Sequence, residues 1–146
     1  MVVFFLCLVC GGCTNGPKND GPSLVGTWAY TPSSVIVHPL SRFSVSVGSS
    51  LAQDILIHVE FKDGDGFPCR AVGELVLTLS GQDIGDVSES IDLKNAATNR
   101  NRFEGLTRTY LVRFNKIPAD LNEVGVSATF IPESGKVLRA KGRVMK

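Results

Sequence analysis

The 146-residue chain lacks a surplus of either charge, with 15 Lys and Arg against 14 Asp and Glu and a formal net charge of +1. That balance points neither to nucleic acid nor to a calcium sink. Histidine is scarce, and neither His38 nor His58 has a Cys or carboxylate beside it at metal-ligand spacing. No Ser sits in a G-x-S-x-G elbow, no phosphate-cradling glycine loop precedes a helix, and no close carboxylate pair suggests glycoside hydrolysis. Helical periodicity is absent throughout. The one long apolar run, at the amino terminus, covers about a dozen residues, too short for a bilayer span of roughly 20. What remains is a non-enzymatic reading that needs no cofactor.

What is present begins with that run. MVVFFLCLVCGGC gives way at once to the polar, breaker-rich TNGPKNDGPS. Such a run suits the apolar core of a secretory signal peptide. Gly11-Gly12-Cys13 resembles the lipobox of bacterial lipoproteins. The resemblance implies cleavage before Cys13, a diacylglycerol on its sulfur and an acyl chain on its new amino group. Two features depart from the pattern: Cys10 stands where the family prefers Leu, and no Lys or Arg precedes the run. An ordinary or uncleaved signal peptide is the alternative. Thr14 replaces the Asp that retains enterobacterial lipoproteins at the inner membrane, which favours the outer membrane or cell surface. The expected partners are the membrane, through this anchor, and an envelope protein or polysaccharide.

Cys7, Cys10 and Cys13 spell C-x-x-C-x-x-C, the opening of an iron–sulfur ligand run. An apolar leader without a nearby fourth Cys offers no loop to wrap a cluster. Cleavage before Cys13 leaves Cys69 as the one unmodified thiol, so no internal disulfide is expected and the fold must rest on its core.

Three segments are expected: a signal peptide at 1–12, the acylated Cys13 with a tether through 23, and a folded domain over 24–146. Ten tether residues, 14–23, reach about 33 Å at full extension. The domain, at 43% hydrophobic and 20% charged residues overall, has ordinary globular composition. From Leu24 onward the pattern has period two. Ile55, Ile57, Val59 and Phe61 share one face of a half-buried strand, with Asp54, His58, Glu60 and Lys62 on the other together with Leu56. The alternation repeats at Leu75 to Leu79, Ile91 with Leu93, Tyr110 to Phe114, Val124 to Phe130 and Leu138 to Val144. With Ser34 to Val37, that makes about seven strands parted by polar turns, an antiparallel β-sandwich of immunoglobulin-like or prealbumin-like kind.

The stretch IHVEFKDGDGFPCRAVGELVLTL, the Tyr-centred strand from Thr107 to Phe114, Ile117-Pro118 and the closing strands around Glu133 to Lys136 resemble small secreted lipoproteins of planctomycete-type bacteria. That likeness implies fold and location and carries over no catalytic residue. Gly26-Thr27-Trp28 matches the G-x-W near the start of lipocalins, whose barrels carry apolar ligands, so a lipocalin-like carrier is the alternative. Pro32 soon after Trp28 and the lack of a later Thr-Asp-Tyr motif count against it.

Four groups of residues could carry chemistry. Asp63, Asp65 and Glu74 occupy positions one, three and twelve of a calcium-loop spacing, but Phe67 and Pro68 break it and a polar hairpin turn is expected. His38 or His58 could join carboxylates in a metal-dependent hydrolase, the second alternative, although His58 alternates with Glu60 and Lys62 as on a solvated face. Cys69 reads as a small, partly buried thiol. Arg139, Lys141 and Arg143 form a basic stripe on the last strand, with Lys146 beyond and Arg100, Arg102 and Arg108 in or near the preceding long loop. Such a stripe shields a strand edge, is a solvated face, or meets anionic groups. The contact surface is expected on two loops, Asp63 to Phe67 and Lys94 to Glu104, with Asp63, Asp65, Phe67, Arg100 and Arg102 as contact residues.

Overall fold

Alternating apolar side chains require strands that bury one face, and the chain meets that requirement by stacking two sheets. The structure, a computed structural model, describes residues 31–45, 52–82, 84–133 and 135–146. The leader, Cys13, the tether and Trp28 lie outside the described residues. The elements are β1 (Ser34–Val37), β2 (Arg42–Val45), β3 (Ala52–Lys62), β4 (Pro68–Cys69), β5 (Gly73–Gly81), β6 (Gly85–Asp92), α1 (Ala96–Arg102), β7 (Phe103–Glu104), β8 (Thr109–Pro118), β9 (Glu123–Pro132) and β10 (Leu138–Met145). One sheet runs β1-β3-β8-β7, with β2 and β4 also on β3; the other runs β10-β9-β5-β6. Every pairing is antiparallel.

The two sheets are not closed into a barrel, so the fold is an all-β sandwich and the lipocalin barrel is set aside. Between the sheets lie Ile55, Ile57, Val59 and Phe61 of β3 and Tyr110, Val112 and Phe114 of β8. They meet Leu75, Leu77 and Leu79 of β5 and Val124, Val126, Ala128 and Phe130 of β9. Phe61 joins the layers, its ring edge-on to Phe130 at 4.8 Å and to Tyr110 at 5.6 Å. Near one rim the layers approach closely: a Cβ on Gly142 of β10 would stand 2.8 Å from Val37 of β1.

The pattern of alternation locates seven of these strands; β2, β4 and β7 are additional. β1 and β2 lie in line along the same edge of β3. Val37 faces Val59 and Arg42 faces Leu56, so four residues of the edge, 38–41, span two of β3. Pro39 has no N–H to give a ladder. The bulge is closed instead by His38 N donating to His58 O at 2.8 Å and by His58 N donating to Ser41 Oγ at 3.0 Å.

Two expectations fail here. The segment Lys94 to Glu104 is not all loop, because Asn95 caps a short helix, its Oδ1 accepting from Ala97 N and Thr98 N at 3.0 Å each. With Asn99 as its sole buried residue, the helix has no apolar stripe for a 3.6-residue period to reveal. Nor is β3 half-buried. It runs inside a six-stranded sheet with partners on both sides, and Asp54, Leu56 and His58 on its outer face are buried with the core residues.

One polar knot lies inside the core. Tyr110 Oη donates to Asn99 Oδ1 at 2.9 Å and accepts from Ala71 N at 3.0 Å, while Asn99 Nδ2 donates to Ala71 O and Leu93 O at 2.7 Å each. Burial pushes the Tyr110 phenol up to about 12, so it stays a donor at neutral pH. Tyr110→Phe leaves Asn99 and the Ala71 amide short of a partner, and urea unfolding should read a loss of about 1–3 kcal/mol without a change in slope. Gly73→Ala places a Cβ 2.5 Å from Ile131 O and 2.7 Å from the Phe130 ring. That overpacking should cost about 1–3 kcal/mol in the same assay.

Candidate functional site

Two turns at one end of the six-stranded sheet bound an open groove of about 800 Å³. The first joins β3 to β4. Asp63 Oδ1 accepts from Asp65 N at 3.1 Å and Phe67 N at 2.9 Å, and Gly66 takes the left-handed conformation at φ +86°. This self-closed turn drives Phe67 outward, leaving it 67% exposed. The second joins β7 to β8, where Arg108 N donates to Glu104 O at 2.8 Å and Arg108 itself is left-handed at φ +58°. Leu106 stands at its tip, 97% exposed.

The turns are tied together. Arg108 Nη2 donates to Pro68 O at 3.3 Å, and the Arg70 guanidinium lies over the Phe103 ring at 4.5 Å. Phe103 in turn stands edge-on to Tyr110 at 5.3 Å, so the wall of the groove is anchored in the core. Asp65, Phe67, Cys69, Arg70, Phe103 and Arg108 thus offer carboxylate, guanidinium and aromatic groups on one concave surface. Burial, with a smaller effect from the Asp63 charge, pushes the Cys69 thiol up to about 11. It is therefore a thiol, not a thiolate, at neutral pH.

Beside the second turn runs a chain of side-chain hydrogen bonds. His58 Nδ1 lies 2.9 Å from Thr109 Oγ1, Thr109 Oγ1 lies 2.8 Å from Thr107 Oγ1, and Thr107 Oγ1 donates to Glu104 Oε2 at 2.9 Å. Each hydroxyl has one proton to give, and the Thr107 proton goes to the carboxylate. Thr109 must then donate to Thr107, and His58 to Thr109. The proton count assigns neutral His58 as the Nδ1–H tautomer. Desolvation by burial lowers the His58 pKa against the raising effect of Glu104, with Arg42 and His38 adding to the lowering. The solvated face expected for His58 is corrected accordingly: the residue is 3% exposed and its ring is bound to Thr109.

The structure brings together only some of the expected residues. Asp63, Asp65 and Phe67 lie at the groove. Arg100 and Arg102 stand on α1 and not on a loop, and Arg102 is paired with Glu89 at 3.1 Å. Glu74 is not brought to Asp63 and Asp65: it sits on β5 in the other sheet and accepts from Ser90 Oγ at 2.5 Å. Among the described residues no group of three or more His, Cys, Asp or Glu side chains could hold a metal ion. His38 Nδ1 accepts from Leu40 N at 3.2 Å. Arg139, Lys141 and Arg143 are exposed on β10, an edge strand, and Arg143 pairs with Glu123 at 3.0 Å. Sequence reasoning missed Arg70, Phe103 and Leu106. Leu106, a lone apolar residue between Gly105 and Thr107, is the signal that a turn there exposes something other than polar groups.

No family model, curated protein or solved structure matches this chain.

Because burial lowers His58 below its unfolded value of 6.5, the unfolded chain binds the proton first as pH falls. Stability should be constant through this group above about 6.5 and should decline as pH drops below it; His58→Gln should flatten that part of the profile in urea titrations. Cys69 should react with iodoacetamide far more slowly than free cysteine at pH 8, with its rate still rising towards about 11.

Proposed function

We propose that this chain is a non-enzymatic binding or envelope-structural module, held outside the cytoplasm by lipid on Cys13. The observation that carries the binding half is the groove between the Asp63–Phe67 turn and the 105–108 turn. Its wall at Phe103 is packed on the Tyr110 ring, Phe67 lines it, and Leu106 stands exposed at the tip of the second turn. A rigid sandwich with a concave, chemically mixed end suits recognition, because the turns present groups without disturbing the core. The non-enzymatic half draws support from Cys69, whose protonated thiol lies in the groove while His58 is bound to Thr109. A nucleophile needs a base within hydrogen-bond reach.

The anchor rests on Gly11-Gly12-Cys13 following the apolar run. Hydrolysis of the Gly12–Cys13 peptide bond would free the amine for acylation, and the Cys13 sulfur would carry diacylglycerol through a thioether. Intact-mass spectrometry of native protein from the membrane fraction should read a chain starting at Cys13, with diacylglycerol and one further acyl chain. A full-length, unlipidated mass in the soluble fraction would overturn the anchor.

A further inference from the structure

The described chain enters the sandwich at the groove end. Ser33 N donates to Lys62 O at 2.7 Å and Ser33 Oγ donates to Asp63 O at 2.6 Å, which pins the start of β1 against the turn that carries Phe67. The first described residues therefore lie beside the turn that carries Phe67, and the Arg108 bond to Pro68 holds the second turn next to it. The end at which the described chain begins is the end that exposes Phe67 and Leu106. These two apolar tips flank two guanidinium groups, Arg70 and Arg108, and two carboxylates, Asp63 and Asp65.

We propose that this end of the domain docks on a phospholipid surface, with Phe67 and Leu106 entering the interface and the groove residues meeting zwitterionic headgroups. The inference rests on the lipid-anchored reading for its geometry, and the chemistry adds its own argument. A headgroup such as phosphatidylethanolamine carries one phosphate and one ammonium. Arg108 suits the phosphate, while Asp65 and the Phe67 ring suit the ammonium. Asp63 already holds its Oδ1 to two backbone amides of its own turn, leaving Asp65 as the outward carboxylate. Two cations against two anions give the groove no net attraction for an anionic membrane. The apolar tips, and not long-range charge, then drive the contact. A protein partner is the lesser reading, since two isolated tips make a small interface where stable association buries about 1,200–2,000 Å².

The test uses full-length protein, expressed in a lipoprotein-processing host, carrying Leu106→Cys in a Cys69→Ser background. The thiol is labelled with an environment-sensitive fluorophore and the protein is reconstituted into phosphatidylcholine and phosphatidylethanolamine vesicles. Docking predicts a blue shift at position 106 and quenching by lipid-borne spin labels. Both should be lost in Phe67→Asp, and both should be absent when the label sits at Lys141→Cys on β10. A fully aqueous signal at 106 in a chain whose mass shows the lipid would overturn docking and leave the anchor standing. A chain whose mass shows no lipid would remove the anchor, and a blue shift at 106 on adding vesicles to that chain carrying Cys7→Ser, Cys10→Ser and Cys13→Ser, so that position 106 alone is labelled, would still uphold docking. An equal shift at 141, or one that requires phosphatidylglycerol or an added protein, would overturn the proposal.

Discussion

The Tyr110 hydroxyl is the constraint on which the arrangement of this domain depends. Through Asn99 and the Ala71 backbone it joins four stretches distant in sequence: β8, the link from β4 to β5, the link from β6 to α1, and α1 itself. A seven-residue helix is too short to persist alone in water. Its position is set by Asn99, whose amide reaches two buried carbonyls that would otherwise be left without partners. Buried polar groups are costly when half satisfied, so this knot admits one arrangement and penalises neighbouring ones. Its consequence reaches the surface: Phe103 follows α1 directly, packs on Tyr110, and bears Arg70 over its other contact.

A second polar device works on the outer face of the six-stranded sheet. β3 is flanked by β1, β2 and β4 as well as β8, so its outward side chains gain neighbours that an edge strand would lack. His58 answers burial by donating its Nδ1–H to a chain of two threonine hydroxyls that ends on Glu104. The arrangement fastens the β7–β8 hairpin to β3 by side chains where backbone pairing between β7 and β8 covers just two residue pairs. Asp54, on the same face, is less well provided. Its Oδ2 meets Arg113 at 3.4 Å, while its buried Oδ1 has no hydrogen-bond partner among the described residues. It sits where β8 bulges at Asn115 and Lys116, the latter left-handed at φ +61°. A buried carboxylate oxygen without a partner costs stability, so this bulge is a weak point of the sheet.

Much of the fold was legible because burial and period coincide. Leu75, Leu77 and Leu79, or Val124, Val126, Ala128 and Phe130, announce strands that face one core and one solvent side. The reading fails where that coincidence breaks. Arg42 to Val45 exist as a strand only because β3 extends past the Pro39 bulge, and two-residue strands such as Pro68–Cys69 have no period at all. His58 misleads for a physical reason: alternation sorts residues by polarity, but a polar side chain can be buried when its hydrogen bonds are met internally. The groove was half legible. Asp63-Gly64-Asp65-Gly66 marks a tight turn and so places Phe67 at a tip, whereas its pairing with residues 103–108 arises from the β3–β8 register, which no local pattern encodes.

The location of the groove alters what strength of contact matters. A free domain offering one Phe and one Leu to a membrane would gain little beyond the cost of losing its translational freedom. A domain tethered beside that same end, as the docking proposal has it, would face the surface at an effective concentration in the millimolar range for a short flexible linker. Contacts too weak to recruit the protein are then sufficient to orient it. The bonds of Ser33 to Lys62 and Asp63 fix the start of the described chain at the turn that carries Phe67, so under that proposal the attachment and the apolar tips share one end of the domain. Docking by this end would turn the four-stranded sheet and the basic edge of β10 sideways to the membrane, leaving that polar face open to the envelope while the apolar tips lie in the lipid interface.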